Sequence, residues 1–305
     1  MPSYAYFQKK FVPLAEARIN VMTNFLHYGT GIFEGIRGNW NSQRQQIYLF
    51  RLKEHYQRLL NGCKVLKIDV HQSLDELCQL TVALTAKCGF QEDVYIRPLA
   101  YKSSESLGVR LHDLESDFLA FVFPWGAYLD TDRAKCGVSS WRRPGSNVAP
   151  EQIKATGLYV VGALAKTEAI EHGYDEAILL SEDGYISEGS GENLFLMING
   201  KLVTPAQYDC CLIGITRNTV IELAKKELGL EVIERHIDRT ELYTADECFL
   251  TGTAAHVTPV AEIDHRPVGD GQIGPVSARL RDLYAEIIRG NNPKYLSWCT
   301  PVYKK

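Results

Sequence analysis

The sequence predicts a mixed α/β (α+β) protein built as two lobes or one large α/β unit, and three observations lead there. At 305 residues the chain exceeds one average domain. Strand-like and helix-like stretches interleave along it. After Pro124 the pattern changes, and residues 125–135 are polar and turn-prone, as a linker would be. The expected division is a small α/β domain over residues 1–124, a linker over 125–135 and a larger domain over 136–305.

Residues 47–50 read as a strand that feeds a helix, because Leu52, Tyr56, Leu59 and Leu60 recur at helical spacing. Residues 93–101 and 118–123 are further strands, parted by a Ser- and Gly-containing loop over 103–110. The second lobe opens with a strand at 138–141, then a loop holding Pro144, Gly145 and Pro150. A helix is expected from about residue 154 to 172, its apolar stripe being Leu158, Val161, Leu164, Ala165 and Ala169, with Gly173 as its stop. Strands over 177–180, 193–198 and 201–203 are joined by Asp183-Gly184 and Asn199-Gly200, both strong hairpin turns. Helices are expected at 215–228 and 275–289, and strands at 232–237, 248–251 and 257–263.

Hydrophobic residues at 45% and charged residues at 23% are ordinary for a folded chain and unlike a disordered, collagen-like or coiled-coil one. Lys+Arg 33 against Asp+Glu 37 leaves a net charge of −4 with no sustained basic run, which makes nucleic acid and anionic membranes poor partners. No stretch approaches the ~18 apolar residues that cross a bilayer, and no apolar run follows Lys9 and Lys10. A cytoplasmic protein is expected. Eight cysteines are scattered without a C-x-x-C pair, so no zinc site and no disulfide framework is expected; they read mainly as small buried hydrophobes.

Several positions can carry chemistry. Lys154 falls at the threshold of the predicted helix, where the macrodipole opposes an ammonium and favours the neutral amine that Schiff-base chemistry needs; a solvated lysine at a helix start is the plain alternative. Gly214-Ile215-Thr216-Arg217 opens a helix whose unpaired N–H groups could hold a phosphate, or be capped by Thr216 or Gly214. Thr251-Gly252-Thr253-Ala254-Ala255 follows a strand and would let backbone donors approach an anion, or simply make a tight loop. Ser187-Glu188-Gly189-Ser190-Gly191-Glu192-Asn193 lacks the spacing of a dinucleotide fingerprint. A carboxylate there could face a cationic ring nitrogen, or sit in a solvated acidic loop. Tyr95 and Arg97 share one strand face, Arg51 stands where a strand becomes a helix, and Tyr28, Phe33 and Arg37 lie in a glycine-punctuated segment. An arginine fork suits a carboxylate or a phosphate, and equally a structural ion pair.

Taken together and in order, these motifs resemble those of the branched-chain amino acid aminotransferases, pyridoxal-phosphate enzymes of fold type IV. The resemblance runs through His27-Tyr28-Gly29-Thr30, Phe33-Glu34-Gly35-Ile36-Arg37, Tyr95-Ile96-Arg97-Pro98, Pro124-Trp125-Gly126, Ser139-Ser140-Trp141, Ser187-Glu188-Gly189, Gly191-Glu192-Asn193, Gly214-Ile215-Thr216-Arg217, Glu241-Leu242-Tyr243 and Thr251-Gly252-Thr253-Ala254-Ala255. It implies a two-layer α/β first domain and a barrel-like second domain. It also implies transamination of L-leucine, L-isoleucine or L-valine with 2-oxoglutarate, and the reverse, through a pyridoxal 5'-phosphate Schiff base on Lys154. By the same resemblance, Glu188 pairs with the pyridine nitrogen and Tyr159 bonds the phenolic oxygen. Arg51, Ile215, Thr216 and Thr253 cup the phosphate, and Leu212 packs on the ring. Tyr95 with the backbone of Thr253 and Ala254 takes the α-carboxylate, and Arg97 admits the second carboxylate of glutamate. Phe33, Arg37, Trp125 and Tyr128 line the substrate pocket, completed by Tyr28 and Val109 of a partner subunit. A homodimer is therefore implied, with hexamers also known in the family, and no metal.

His256 departs from the family pattern, where many relatives carry glutamate after Thr-Ala-Ala. The nearest rival keeps the fold and changes the reaction, to a D-amino acid aminotransferase or an aminodeoxychorismate lyase; an amine transaminase and a cofactor-free binding module are further alternatives.

Overall fold

The computed structural model describes residues 3–126 and 131–303. The contacts gather the chain into two units, one of residues 1–126, 153–157 and 286–305, the other of 127–152 and 158–285. In the first, β1 (Tyr4–Phe7) and β2 (Lys10–Pro13) form a hairpin, followed by the short helix α1 (Asn24–Tyr28). Next come β3 (Gly31–Phe33), β4 (Ile36–Asn41), β5 (Gln46–Phe50), helices α2 (Leu52–Val65) and α3 (Leu74–Cys88), then β6 (Val94–Lys102) and β7 (Ser116–Pro124).

The sheet is two-layered with its helices for a plain reason of spacing. Helix α2 buries Leu52, Tyr56, Leu59 and Cys63 at helical intervals, and β7 buries Phe118, Ala120 and Val122 at every second residue. Tyr56 meets Phe118 across that boundary and hydrogen-bonds Thr81 of α3. Helix α3 starts at a capping box, Ser73 with Glu76, and stops at Gly89, whose φ of 69° few other residues adopt.

The second unit holds β8 (Ala134–Arg142), α4 (Tyr159–Glu171), β9 (Glu176–Leu180), β10 (Ile186–Gly189), β11 (Asn193–Ile198), β12 (Lys201–Thr204), α5 (Ile215–Glu227), β13 (Val232–Glu234), β14 (Glu247–Gly252), β15 (His256–Ile263), β16 (Arg266–Pro267) and the greater part of α6 (Pro275–Ile288). Its strands lie in the order β10-β9-β8-β15-β14-β11-β12-β13, with β16 beside β15. The parallel pairs β8–β9 and β12–β13 are each crossed by a helix, α4 and α5. Asn199 (φ 51°) and Gly200 (φ 76°) turn the β11–β12 hairpin as Asn-Gly does in primed turns. At the free edge, Gly189 N–H donates to the Glu192 carbonyl (2.6 Å), bringing β10 back alongside β11; this sheet curls, as a barrel-like domain requires. The chain then returns to the first sheet, where β17 (Cys299–Pro301) pairs antiparallel with β5.

Most predicted elements are present, several of them longer. The exception that matters is the helix expected from residue 154. Helix α4 starts only at Tyr159, behind a 3₁₀ turn at Thr156–Leu158, and Ala155 instead bridges Ile32 of β3. Lys154 thus lies just before the bridging residue and the 3₁₀ turn and not in the first turn of α4, so the macrodipole does not act on it in the way the periodicity implied. Seven of the eight cysteines are buried, as small hydrophobes are, and all eight are free thiols; burial pushes the Cys211 thiol up to about 12. No helix of the described residues is long and apolar enough to cross a membrane, and none of their acidic, His and Cys clusters could hold a metal.

Candidate active site

In the first unit the predicted residues converge on Phe33. Its N–H donates to the Lys154 carbonyl (3.1 Å), which ties Lys154 to the end of β3. The Lys154 ammonium lies 5.0 Å from the centre of the Phe33 ring, and the Arg97 guanidinium carbon 4.6 Å from the same centre. Arg97 Nη2 donates to the Tyr95 hydroxyl (3.4 Å), as expected of two residues on one face of β6. The Arg97 Nε is buried with no hydrogen-bond acceptor among the described residues. A polar atom in that state is a poor structural feature and a good ligand donor.

Tyr95 is buried against Trp125, ring centres 4.4 Å apart and nearly perpendicular. A Cβ on Gly35 would lie 1.9 Å from the Tyr95 hydroxyl, so glycine is needed there for the hydroxyl to sit where it does. Arg37, opposite Tyr95 in register on β4, is buried; its Nη1 donates to the Gly126 carbonyl (2.8 Å) and its Nη2 lies 3.7 Å from Asp93. Burial pushes the Asp93 carboxyl up, but hydrogen bonds from Arg289 and the Trp40 N–H, with the charges of Arg289 and Arg37, hold it below its usual range.

Arg51 caps α2 with φ 46°, its guanidinium carbon 3.9 Å above the Trp298 ring and its Nη1 3.3 Å from Glu54. Tyr28 closes α1, and its hydroxyl accepts the Gly108 N–H (3.0 Å), so it and the Val109 loop are held together; Val109 itself is 89% exposed. Tyr128 lies outside the described residues.

In the second unit Glu188 sits on β10, buried and not in a solvated loop. Arg143 holds its Oε1 at 2.9 Å, while Oε2 accepts the Leu212 N–H (3.0 Å) and the Asn193 amide (3.4 Å). Asn193 also donates to the Leu212 carbonyl (2.7 Å), and its Oδ1 lies where a Cβ on Gly214 would be, 2.1 Å away. Asn193 therefore fastens the carboxylate to the loop that starts α5. No side chain caps α5, since Gly214 has none to offer, and its first residues, Ile215 and Thr216, are buried. The Thr216 hydroxyl is 3.3 Å from that of Tyr284.

Thr251 pairs in register with Asn193, placing the Thr253-Ala254 turn at the same end of the sheet. The hydroxyls of Ser187 and Thr251 are buried with no partner among the described residues. Tyr159 is the first residue of α4. His256 stands at φ 59°, and its ring is 5.8 Å from that of Tyr284. Arg143 and Asn193 escape sequence reasoning: Arg143 follows a strand with no pattern of its own, and Asn193 reads only as the end of a glycine-rich motif. The signal that could have found them is a buried Glu188, which demands partners.

The donor set is specific in kind. The first unit supplies a lysine amine on an aromatic wall and an arginine fork beside a tyrosine hydroxyl; the second supplies a carboxylate locked by a guanidinium and a helix start that no side chain caps. Residues 31–263 match the family described as amino-transferase class IV, and the chain belongs to it. A relative from Aquifex aeolicus, a probable branched-chain-amino-acid aminotransferase, is 50% identical over 303 residues, covering 99% of this chain and 97% of that one. The fold is shared with the branched-chain aminotransferase of Thermoproteus uzoniensis, solved with norvaline (TM-score 0.95, 41% identity, 99% of this chain and 100% of that one). It is shared also with the branched-chain amino acid aminotransferase of Thermobaculum terrenum, solved in its PLP-form (TM-score 0.94, 38% identity, 99% of each chain).

Proposed function

We propose that this chain is a branched-chain amino acid aminotransferase that uses pyridoxal 5'-phosphate to move the amino group of L-leucine, L-isoleucine or L-valine to 2-oxoglutarate, and back. The observation that carries this reading is the Phe33 ring, faced by both the Lys154 amine and the Arg97 fork. The residues present fit the cofactor. Glu188 offers a fixed carboxylate to a cationic ring nitrogen, and the uncapped start of α5 with Thr216 offers donors to a phosphate. Arg51 and Thr253 add to the phosphate site, Leu212 to the ring face and Tyr159 to the phenolic oxygen.

When bound, the cofactor supplies an electron sink for the charge left at the substrate Cα. Lys154 would hold the cofactor through Nζ until the substrate amine displaces it, and its freed amine would then take the proton from Cα as general base and give it up as general acid. Glu188 keeps the ring nitrogen protonated, and Arg143 keeps Glu188 in place. Tyr95, with the backbone of Thr253 and Ala254, orients the α-carboxylate. Phe33, Trp125, Arg37 and Tyr128 enclose the side chain, and Arg97 answers the second carboxylate of glutamate, which an apolar wall alone would strand at a cost of several kcal/mol.

The same reading takes the protein as a cytoplasmic homodimer in which Tyr28 and Val109 of each subunit complete the other's pocket. The exposure of Val109, with Leu107 at 56% and Val21 at 78%, supports a covered loop, and the eight free thiols support a reducing compartment. Light scattering at twice the chain mass is expected; a monomer at assay concentration would contradict it. The decisive experiment is the absorption spectrum of the cofactor-loaded protein. L-Leucine should remove the visible band and 2-oxoglutarate restore it, whereas a band indifferent to L-leucine but bleached by a D-amino acid or a simple amine would move the assignment to that class.

A further inference from the structure

The loop between β6 and β7 carries Val109 at its outer end, and its neck is closed by its own residues: Ser103 N–H donates to the Glu115 carbonyl (3.0 Å) and Glu115 N–H to the Ser104 hydroxyl (2.7 Å). Beyond the neck the loop leans on α1. Asn24, the first residue of that helix, has no exposure at all, and its backbone N–H donates to the Ser104 carbonyl (2.9 Å). Its side-chain Nδ2 donates to two further loop carbonyls, those of Ser106 (3.2 Å) and Gly108 (3.2 Å), while its Oδ1 accepts the Thr30 hydroxyl (3.1 Å). Tyr28 at the other end of α1 accepts the Gly108 N–H, so helix and loop are joined at both ends of the helix.

The chemistry of these partners selects an amide. Carbonyls only accept, so two of them need a group with two hydrogens, and the Thr30 proton needs an acceptor beside it; a carboxylate there would set its oxygens against the carbonyls. The Gly108 carbonyl also accepts the Arg110 N–H (3.0 Å), which makes a three-residue turn with Val109 at its apex. The apex of so tight a turn faces away from the chain that closes it, and Val109 is exposed accordingly. A buried polar side chain with every contact satisfied thus fixes the one carbonyl that defines the Val109 turn.

We propose that Asn24 is a positioning residue that works for the neighbouring subunit: by holding the Ser106 and Gly108 carbonyls it presents Val109 to the other subunit's substrate, and so sets how tightly that pocket takes a branched side chain. It acts through Val109. This inference rests on the branched-chain and homodimer readings given above.

The test uses the cofactor-loaded enzyme and mixed dimers, made by co-expressing two chains with different tags. In the uniform Asn24→Ala dimer, KM for L-leucine should rise about tenfold while kcat stays within about threefold. One mixed dimer pairs an Asn24→Ala chain with a Lys154→Ala chain. Its working lysine lies in the Asn24→Ala chain, whose pocket receives the intact loop of the other, so KM should return to within about threefold of the wild type. The second pairs a wild-type chain with one carrying both substitutions. Its working pocket receives the altered loop, so KM should again be about tenfold high.

A wild-type KM in the uniform Asn24→Ala dimer overturns the proposal. The opposite pattern in the mixed dimers, high in the first and normal in the second, overturns it too, because Asn24 would then act on its own subunit's pocket. Should Asn24→Ala fail to fold, Asn24→Asp, which keeps the shape and loses the donor, takes its place in all three preparations. If the wild type is monomeric or ignores L-leucine, the functional reading fails and takes this role of Asn24 with it; a dimeric, leucine-responsive wild type with unaltered variants sinks the role of Asn24 alone.

Discussion

Arg143 and Glu188 are joined at 2.9 Å with side chains only 10% and 8% exposed, so each is the other's main answer to burial. Removing one partner of such a pair leaves a charge stranded, whereas removing both does not. Arg143→Met is expected to cost about 3 kcal/mol in denaturant unfolding, and Arg143→Met with Glu188→Gln to recover at least half of it. Equal losses in the single and double variants would show that the pair contributes packing alone.

The backbone fastens Lys154, through its carbonyl and the Ala155 bridge to Ile32, and Lys154→Ala keeps both. Lys154→Ala should therefore fold normally and retain cofactor, yet lose turnover by about 10³-fold or more because no group remains to move the Cα proton. An added small amine should restore part of the rate. Turnover near the wild-type level would remove Lys154 from the mechanism.

Arg97 meets an aromatic ring on one side and keeps a buried Nε without an acceptor among the described residues. Arg97→Ala should lower kcat/KM for 2-oxoglutarate by about 10- to 100-fold, the worth of a charge-assisted hydrogen bond, and change that for branched 2-oxo acids far less. Equal losses for both substrates would assign Arg97 to the pocket's structure.

Glu192 is buried, and that burial, with the charge of Glu176 nearby, pushes its carboxyl up to about 8. The folded protein thus binds a proton that the unfolded chain, titrating at the ordinary 4.5, has released. Stability from this group is complete below that ordinary value and falls as pH rises toward about 8. Glu192→Gln should flatten the decline and be the more stable form at pH 8 by about 1–3 kcal/mol, read from urea unfolding at pH 5.5 and 8. Parallel pH profiles for the two proteins would mean Glu192 is ionised when folded.

Much of the second sheet was legible residue by residue. Asp183-Gly184 and Asn199-Gly200 need few alternatives to a turn, and Gly214 opening α5 follows from a residue with no side chain before an apolar-periodic run. The region of Lys154 was not legible, because Leu158, Val161 and Ala165 continue a helical period that nothing local interrupts until Ala155 pairs with Ile32. Strands β3 and β4 were equally obscure. Glu34 between them and Arg37 in β4 are charges whose burial depends on distant partners, Arg58, His55 and Gly126, that no local pattern names.

By itself the sequence determined the mixture of elements, the hairpins, the helix starts and, through motifs kept in order, the family and its chemistry. Those signals are local, carried by turn residues, period and spacing within about a dozen positions. The tertiary structure alone decided that Lys154 stands outside α4 with its carbonyl bonded to the end of β3, that Arg143 and Asn193 hold Glu188, and that β17 returns to β5. A buried charge or an unpaired strand edge must find a partner, and the sequence states the need without naming which distant residue will meet it.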